Sequence, residues 1–428
     1  MASTSTFSLA SRSLRLTSVA DIQPHLEPLQ SSDSITTVIL SGNTIGVPAS
    51  ETLAALLSNQ KSLHTAKLDD IYTSRLLDEI PPSLDAILTG LLRCPKLETI
   101  DLSDNAFGLN TVEPLVKFLR QHVPLRHLFL NNNGLGPHAG VLIAEALTEL
   151  ARRKKEARSK GQDVPDLETV VCGRNRLESG SAAAWAKAYQ AHPNVKIVRM
   201  VQNGIRPDGV VSLIRDGLAN CKKLQVLDLQ DNTFTVNGSM ALANAVRSFP
   251  DIEELGISDA YLKARGASVL MNALSKGDNK ALKTIKLQYA EMNKKGLKLL
   301  VTAIGNGALP ALQRVELNGN KIPEDDESIA EIRQLLDERR TTAAADEDDE
   351  TWGIDELDEM ESDDEEEEEE EIETGRPDSG ESAEDKHDRE KLGERVVQEA
   401  DQAQSQPVAE KKEKDVDDLA DALSKTEI

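Results

Sequence analysis

The sequence predicts an α/β solenoid, with a curved parallel sheet inside and helices outside, followed by a mostly disordered acidic tail. Three observations predict it. A segment of the form LxxLxLxxN recurs about ten times, an amphipathic helical pattern follows the copies, and the acidic excess is confined to the end of the chain.

The copies are ITTVILSGNTIG from Ile35, the degenerate LHTAKLDDIYTS from Leu63, LETIDLSDNAFG from Leu97, LRHLFLNNNGLG from Leu125 and LETVVCGRNRLE from Leu167. They continue as VKIVRMVQNGIR from Val195, LQVLDLQDNTFT from Leu224, IEELGISDAYLK from Ile252, LKTIKLQYAEMN from Leu282 and LQRVELNGNKIP from Leu312. Their third apolar positions are Leu40, Leu68, Leu102, Leu130, Cys172, Met200, Leu229, Ile257, Leu287 and Leu317. Most steps between these are 28 to 30 residues, but Leu68 to Leu102 takes 34 and Leu130 to Cys172 takes 42. The first long step is one period plus an insertion. The second contains the basic segment ARRKKEARSKGQDVPD, which is expected to be a loop.

Each element follows from the pattern. LxxLxL is a short strand whose alternate side chains enter the core. The chain then turns, and the Asn side chain bonds backbone groups that the turn leaves unpaired. Segments such as VEPLVKFLRQH and GVLIAEALTELA carry apolar residues at helical spacing. One strand and one helix cannot bury their apolar faces alone, so the units stack. A period this long leaves room for a full helix on the convex side, as in ribonuclease-inhibitor-like leucine-rich repeats. Residues 35–340 are assigned to about ten repeats. Residues 1–34 are assigned to an N-terminal cap. Their Ser and Arg content resembles a transit peptide, but Phe7, Leu9, Leu14 and Leu16 suit a capping strand.

Residues 341–428 hold 36 acidic and 9 basic residues, a balance of −27 against −25 for the whole chain. The body is thus nearly neutral, which argues against a nucleic-acid partner. Residues 346–373 contain 20 acids and no Lys or Arg, and residues 365–371 are all Glu. Such a run repels itself and is expected to be disordered, with one short helix possible at VDDLADALSK. It is either a solubilising spacer or a steering element for a basic partner. Cys94, Cys172 and Cys221 are widely spaced and read as buried thiols of a reducing compartment. The seven histidines do not cluster, so no metal is expected. No apolar run reaches the roughly 20 residues of a membrane span.

No phosphate-binding loop, nucleophile elbow or zinc motif is present. A solenoid of this kind is usually a binding surface, and two surfaces are available. The concave face displays Asp101, Phe129, Val171, Arg199, Asp228, Gly256, Lys286 and Glu316. The edge where strands end displays the residue before each repeat Asn: Gly42, Asp104, Asn132, Arg174, Gln202, Asp231, Asp259, Tyr289 and Gly319. Asn133 is the repeat Asn of NNNG and is structural, whereas Asn132 is not demanded by the pattern. Asn131 beside it, with Asp104, Arg174, Gln202 and Asp231, completes the candidate partner-binding set. The second repeat has Ile71 in place of Asn and carries Arg75 in a loop that breaks the repeat rules. Arg75 is either an arginine acting on a partner or a surface residue paired with Asp78 or Glu79.

At these residues the sequence resembles the Ran GTPase-activating proteins of fungi. The stretches LSGNTIG, KLETIDLSDNAFG, LFLNNNGLGP, CGRNRLESGS, MVQNGIRPDG, VLDLQDNTFT and VELNGNKI carry the likeness, together with the acidic tail and LADALSK. The resemblance implies a protein that binds Ran in its GTP form through the repeat edge and stimulates Ran's own hydrolysis. It implies a monomer, with a Ran-binding protein as a further partner of the complex, and no cofactor, since GTP and Mg²⁺ belong to Ran. It implies a cytoplasmic location, including the region near the nuclear envelope, and a role in the direction of nucleocytoplasmic transport. It assigns Asn132 to ordering the catalytic glutamine and attacking water of Ran, and Arg75 to binding or orienting rather than to an arginine finger. Vertebrate members carry a further folded C-terminal domain for which this chain has no room. Ala260 and Ala290 depart from the repeat Asn and are expected to loosen their turns only. Two other readings compete: a non-catalytic binding or inhibitory solenoid, disfavoured by the scarcity of Cys, and a histone-chaperone-like protein resting on the tail alone.

Overall fold

The computed structural model describes residues 5–346 and 349–360. The cap comprises β1 (Ser5–Ser8), β2 (Arg15–Leu16), α1 (Val19–Ile22) and α2 (Glu27–Ser31). The first repeats follow as β3 (Ile35–Ile39), β4 (Thr44–Ile45), α3 (Val47–Leu57), β5 (Thr65–Lys67), α4 (Ile80–Leu91), β6 (Thr99–Asp101) and α5 (Val112–Gln121). The middle holds β7 (His127–Phe129), α6 (Gly136–Ser159), β8 (Thr169–Val171), α7 (Glu178–Ala191), β9 (Ile197–Arg199) and α8 (Pro207–Ser212). The last repeats are β10 (Val226–Asp228), α9 (Thr235–Val246), β11 (Glu254–Gly256), α10 (Lys263–Leu274), β12 (Thr284–Lys286), α11 (Lys294–Gly305), β13 (Arg314–Glu316), α12 (Glu327–Ala343) and β14 (Gly353–Ile354).

Twelve of these strands form one parallel sheet in chain order, from β1 through β3 and β5 to β14, while β2 and β4 pair separately. Register never slips along the repeats: Leu128 faces Ile100 and Val170, and Leu227 faces Val198 and Leu255. These central strand residues and the third apolar positions are buried in one continuous core that the helices cover. β1 pairs with β3, and Phe7, Leu9 and Leu16 are buried, so the N-terminal segment is built into the sheet.

The turn after each strand is held by the repeat asparagine. Asn105 Nδ2 donates to Leu68 O and Leu102 O, both at 2.9 Å. Asn133 Nδ2 donates to Leu102 O and Leu130 O, both at 3.0 Å. The backbone N–H of each then donates to the next Oδ1: Asn105 to Asn133 and Asn133 to Asn175 at 2.9 Å, Asn175 to Asn203 at 3.0 Å. The ladder breaks at Ala260 and Ala290, both fully buried, and resumes where Met292 N donates to Asn320 Oδ1 at 2.9 Å.

The convex side has a second set of rungs. Gln60 Nε2 donates to Leu29 O and Ser32 O at 3.0 and 2.9 Å. His122 Nε2 reaches Leu97 O at 2.7 Å and His192 Nε2 reaches Leu147 O at 2.8 Å. These residues stand at one register, twenty after Leu40, Leu102 and Cys172. Burial holds both histidines down at about 4, so they are neutral donors.

Two sequence expectations are corrected. The basic segment after Leu150 is not a loop through its length; α6 continues to Ser159. Lys154 turns inward there, and its ammonium donates to the carbonyls of Val123, Leu125 and Pro165 at 2.6–2.8 Å, which makes the extra helical turns part of the packing. Ordered structure also passes the Arg340 boundary. β14 pairs with β13, Leu357 is buried, and the Asp355 carboxylate accepts from Leu317 N and Asn318 N at 2.7 and 3.1 Å. In earlier repeats the equivalent of Leu317 N donates to the next strand's carbonyl, as Leu287 N does to Glu316 O at 2.8 Å, and in the last repeat the Asp355 carboxylate takes that place. The run of glutamates and VDDLADALSK lie outside the described residues. The three cysteines are buried and unbridged.

Candidate functional site

The chain bends away from the sheet at the same position in every repeat, and that position is left-handed. Asp70, Asp104, Asn132, Arg174, Gln202, Asp231, Asp259 and Tyr289 all have φ between 49° and 60°. At positive φ a Cβ is unfavourable, and Gly42 and Gly319 occupy the same position in the first and last copies at φ 71° and 73°. Glycine would therefore serve the turn at every repeat. The side chains kept there cost on the order of 1 kcal/mol each in backbone strain, which points to a use beyond folding.

Concave and edge charges behave differently. Where the strands begin, Arg126 bonds Glu168 at 3.1 Å and Glu98 at 3.5 Å and Lys196 joins Glu168 at 3.1 Å, and the charges of the concave face are matched in the same way. Arg199 bridges Asp228 and Glu254, each at 2.8 Å, and Lys286 meets Glu254 at 2.9 Å. Those charges neutralise one another and offer a partner little that is not already matched. Asp70, Asp104, Arg174, Asp231 and Asp259 on the edge make no ion pair among the described residues. Burial, and then the neighbouring Asp259, raise the Asp231 carboxyl above its ordinary value, while a hydrogen bond from Gln202 opposes them.

Asn132 is exposed on this edge. Its N–H donates to Gly173 O at 2.9 Å and its Nδ2 to Asp104 Oδ1 at 2.8 Å. Asn131 is committed to the fold: its Oδ1 accepts from Gly173 N at 2.7 Å and its N–H donates to Ser103 Oγ at 3.2 Å. Its carbonyl group is thus not offered to a partner. Arg174 and Gln202 are exposed at the next two positions, and Asp231 is half-buried beyond them. The structure therefore brings Asp104, Asn132, Arg174, Gln202 and Asp231 into one row.

Arg75 sits apart from that row, in the irregular loop between β5 and α4. The loop is anchored by Ile71 and Tyr72, both buried, and by Ile71 N donating to Asn105 Oδ1 at 2.9 Å. Arg75 pairs with neither Asp78 nor Glu79. Its Nε donates to Thr44 Oγ1 at 2.8 Å, and its Nη2 to Thr17 Oγ1 at 2.9 Å and Thr44 O at 3.1 Å. Three of its five N–H groups are spent on the first repeat and the cap, so reaching into a partner's active site would break an existing set of bonds. Sequence reasoning missed Leu76, Leu77 and Leu109, which are 68%, 54% and 52% exposed in the loops after β5 and β6. The signal was present: adjacent leucines directly after Arg75, in the loop that breaks the repeat. Among the described residues no group of side chains could hold a metal ion, and no helix is long and apolar enough to cross a membrane.

Fold and edge together define a leucine-rich-repeat protein of the long-repeat type, built to present a row of polar side chains on a rigid rim. The leucine-rich-repeat family model matches residues 220–243. Ran GTPase-activating protein 1 of Saccharomyces cerevisiae is 42% identical over 339 residues, covering 78% of this chain and 82% of the yeast protein. The Ran GTPase-activating protein of Drosophila melanogaster is 32% identical over 333 residues, covering 77% of this chain and 54% of the fly protein. Ran GTPase-activating protein 2 of Caenorhabditis elegans is 36% identical over 207 residues, covering 48% of this chain and 21% of the nematode protein. The chain belongs to the Ran GTPase-activating protein family.

Proposed function

We propose that this chain stimulates GTP hydrolysis by Ran, docking the GTP-bound GTPase on the strand-end edge and completing its active site. The observation that carries the reading is Asn132, an exposed amide fixed on a rigid rim beside unpaired charges, in a chain of this family. The chain supplies no catalytic motif of its own; nucleotide and Mg²⁺ are Ran's. Asn132 orders the glutamine of Ran that aligns the attacking water. An arginine finger is worth about 10³–10⁵ in rate, and fixing glutamine and water in an enclosed geometry can supply a comparable factor. Arg75, tied to Thr17 and Thr44, shapes the docking surface rather than entering the active site. Arg174, Gln202 and Asp231 line the contact, with Leu76 and Leu77 at its N-terminal end, while the Asp104 carboxylate is taken up by Asn132. The protein works as a monomer in the cytoplasm, in company with a Ran-binding protein, keeping Ran in the GDP form and giving nucleocytoplasmic transport its direction.

The test is single-turnover hydrolysis of GTP on Ran with this chain, comparing wild type with Asn132→Ala and Arg75→Ala. Strong stimulation by wild type, reduced at least a hundredfold by Asn132→Ala at saturation, is expected. Arg75→Ala is expected to raise the half-saturating concentration more than it lowers the maximal rate. Binding of Ran without stimulation would leave a non-catalytic scaffold or inhibitor.

A further inference from the structure

We infer that Asp104 is a positioning residue for this reaction, holding the Asn132 amide with its oxygen turned outward. The inference rests on the role proposed for Asn132 and adds a second residue to it. A carboxylate only accepts hydrogen bonds, so the side of the amide facing Asp104 at 2.8 Å is its NH₂. Asn132 Oδ1 then points away and meets no protein donor among the described residues. It is the atom available to accept a hydrogen bond from a glutamine amide or a water on the docked GTPase.

Everything else about Asn132 is already fixed. Its backbone N–H is held by Gly173 O and that of Asp104 by Asn131 O, both at 2.9 Å. Asn131 is tied to Gly173 and Ser103 on either side. The freedom left is rotation of the Asn132 side chain, and Asp104 removes it. A hydrogen bond to an ionised acceptor is roughly twice as strong as a neutral one, and it polarises the amide so that Oδ1 becomes a better acceptor. The turn does not require the aspartate: Gly42 and Gly319 make the same turn without a side chain. The carboxylate at Asp104, 28 residues before Asn132 in the chain, therefore serves its neighbour across the repeat rather than its own backbone.

Asp104→Gly isolates this role, because glycine keeps the left-handed turn and removes only the carboxylate. Maximal single-turnover rate and half-saturating concentration are measured on Ran–GTP for Asp104→Gly, Asp104→Asn, Asn132→Ala and the Asp104→Gly/Asn132→Ala pair. Asp104→Gly is expected to lower the maximal rate about tenfold, the loss of one orienting hydrogen bond, with half-saturation changed less than about twofold. Asp104→Asn, whose amide oxygen accepts the same N–H, is expected to restore most of the rate. In the Asn132→Ala background Asp104→Gly is expected to add nothing. The inference is overturned if Asp104→Gly raises half-saturation with the maximal rate intact, which makes it a direct contact, or if its loss persists without Asn132. Full activity of Asn132→Ala would remove the role of Asn132 and that of Asp104 with it. A wild-type chain that fails to stimulate Ran would overturn the function itself.

Discussion

At the scale of single residues, two asparagines side by side do opposite work. Asn133 is buried and hands hydrogen bonds from one repeat to the next, whereas Asn132 is exposed and its oxygen is unused. Asn133→Ala leaves the N–H of Asn105 without its partner and removes one of the two hydrogen bonds to each of the Leu102 and Leu130 carbonyls, which keep Asn105 Nδ2 and Asn175 Nδ2. One unsatisfied buried donor costs about 1–3 kcal/mol and each of the two lost carbonyl hydrogen bonds about 1 kcal/mol, so a loss of roughly 3–5 kcal/mol is expected, read as a lower urea midpoint. Asn132→Ala should leave that midpoint nearly unchanged. The neutral histidines give a pH signature. Their folded values lie near 4, below the 6.5 of the free side chain, so between these pH values the unfolded chain binds more protons. Stability from this source is full above about 6.5 and is lost as pH falls toward 4, on the order of 3 kcal/mol for each histidine. His122→Gln, which copies the rung made by Gln60, is expected to flatten urea midpoints across this window relative to wild type.

At the scale of elements, the irregular loop after β5 and the lengthened α6 are both insertions, but they are spent differently. The α6 extension is consumed by packing, since Lys154 closes three backbone carbonyls. The β5 loop is anchored by Ile71, Tyr72 and the Arg75 bonds to Thr44 and Thr17, and it leaves Leu76 and Leu77 in solvent. Apolar side chains held out by a pinned loop are suited to a partner's apolar surface. The double substitution Leu76→Ser/Leu77→Ser is expected to raise the half-saturating concentration for Ran–GTP at least tenfold, with the maximal rate and the urea midpoint close to wild type. An unchanged half-saturation would show that the docked GTPase does not reach this loop.

For the whole molecule, stability is approximately a sum of repeats and of the interfaces between neighbours, and the two ends have exposed faces to close. β1 closes the first repeat. β14, Leu357 and the Asp355 carboxylate close the last, with Tyr289 and Asn318 bonded to Glu359 and Asp358 beyond it. Truncation after Ala345 uncovers the edge of β13 and the Leu317–Asn318 turn. A lower thermal midpoint and concentration-dependent association through the open strand are expected by calorimetry and light scattering. Retention of the wild-type midpoint would mean that residues 349–360 contribute nothing to the fold.

The sequence by itself determined the solenoid, its repeats, the capping strand at Phe7 and the edge positions, because each of these is written within one period. An apolar triad makes a strand, an asparagine closes its turn, and the residue before it faces outward. Tertiary structure alone decided which of those residues are free to act. Arg75 is bonded to Thr17 and Thr44, and Asn131 to Gly173, partners that lie one repeat or more away and obey no periodic rule. The same holds for Lys154 turning inward from a run of basic residues, and for Asp355 capping a turn from within an acidic stretch. Local pattern fixes backbone direction, but hydrogen-bond partnership depends on distances across stacked repeats. The Asp104–Asn132 pair, on which the chemistry of the edge turns, exists only once the third and fourth repeats are laid side by side.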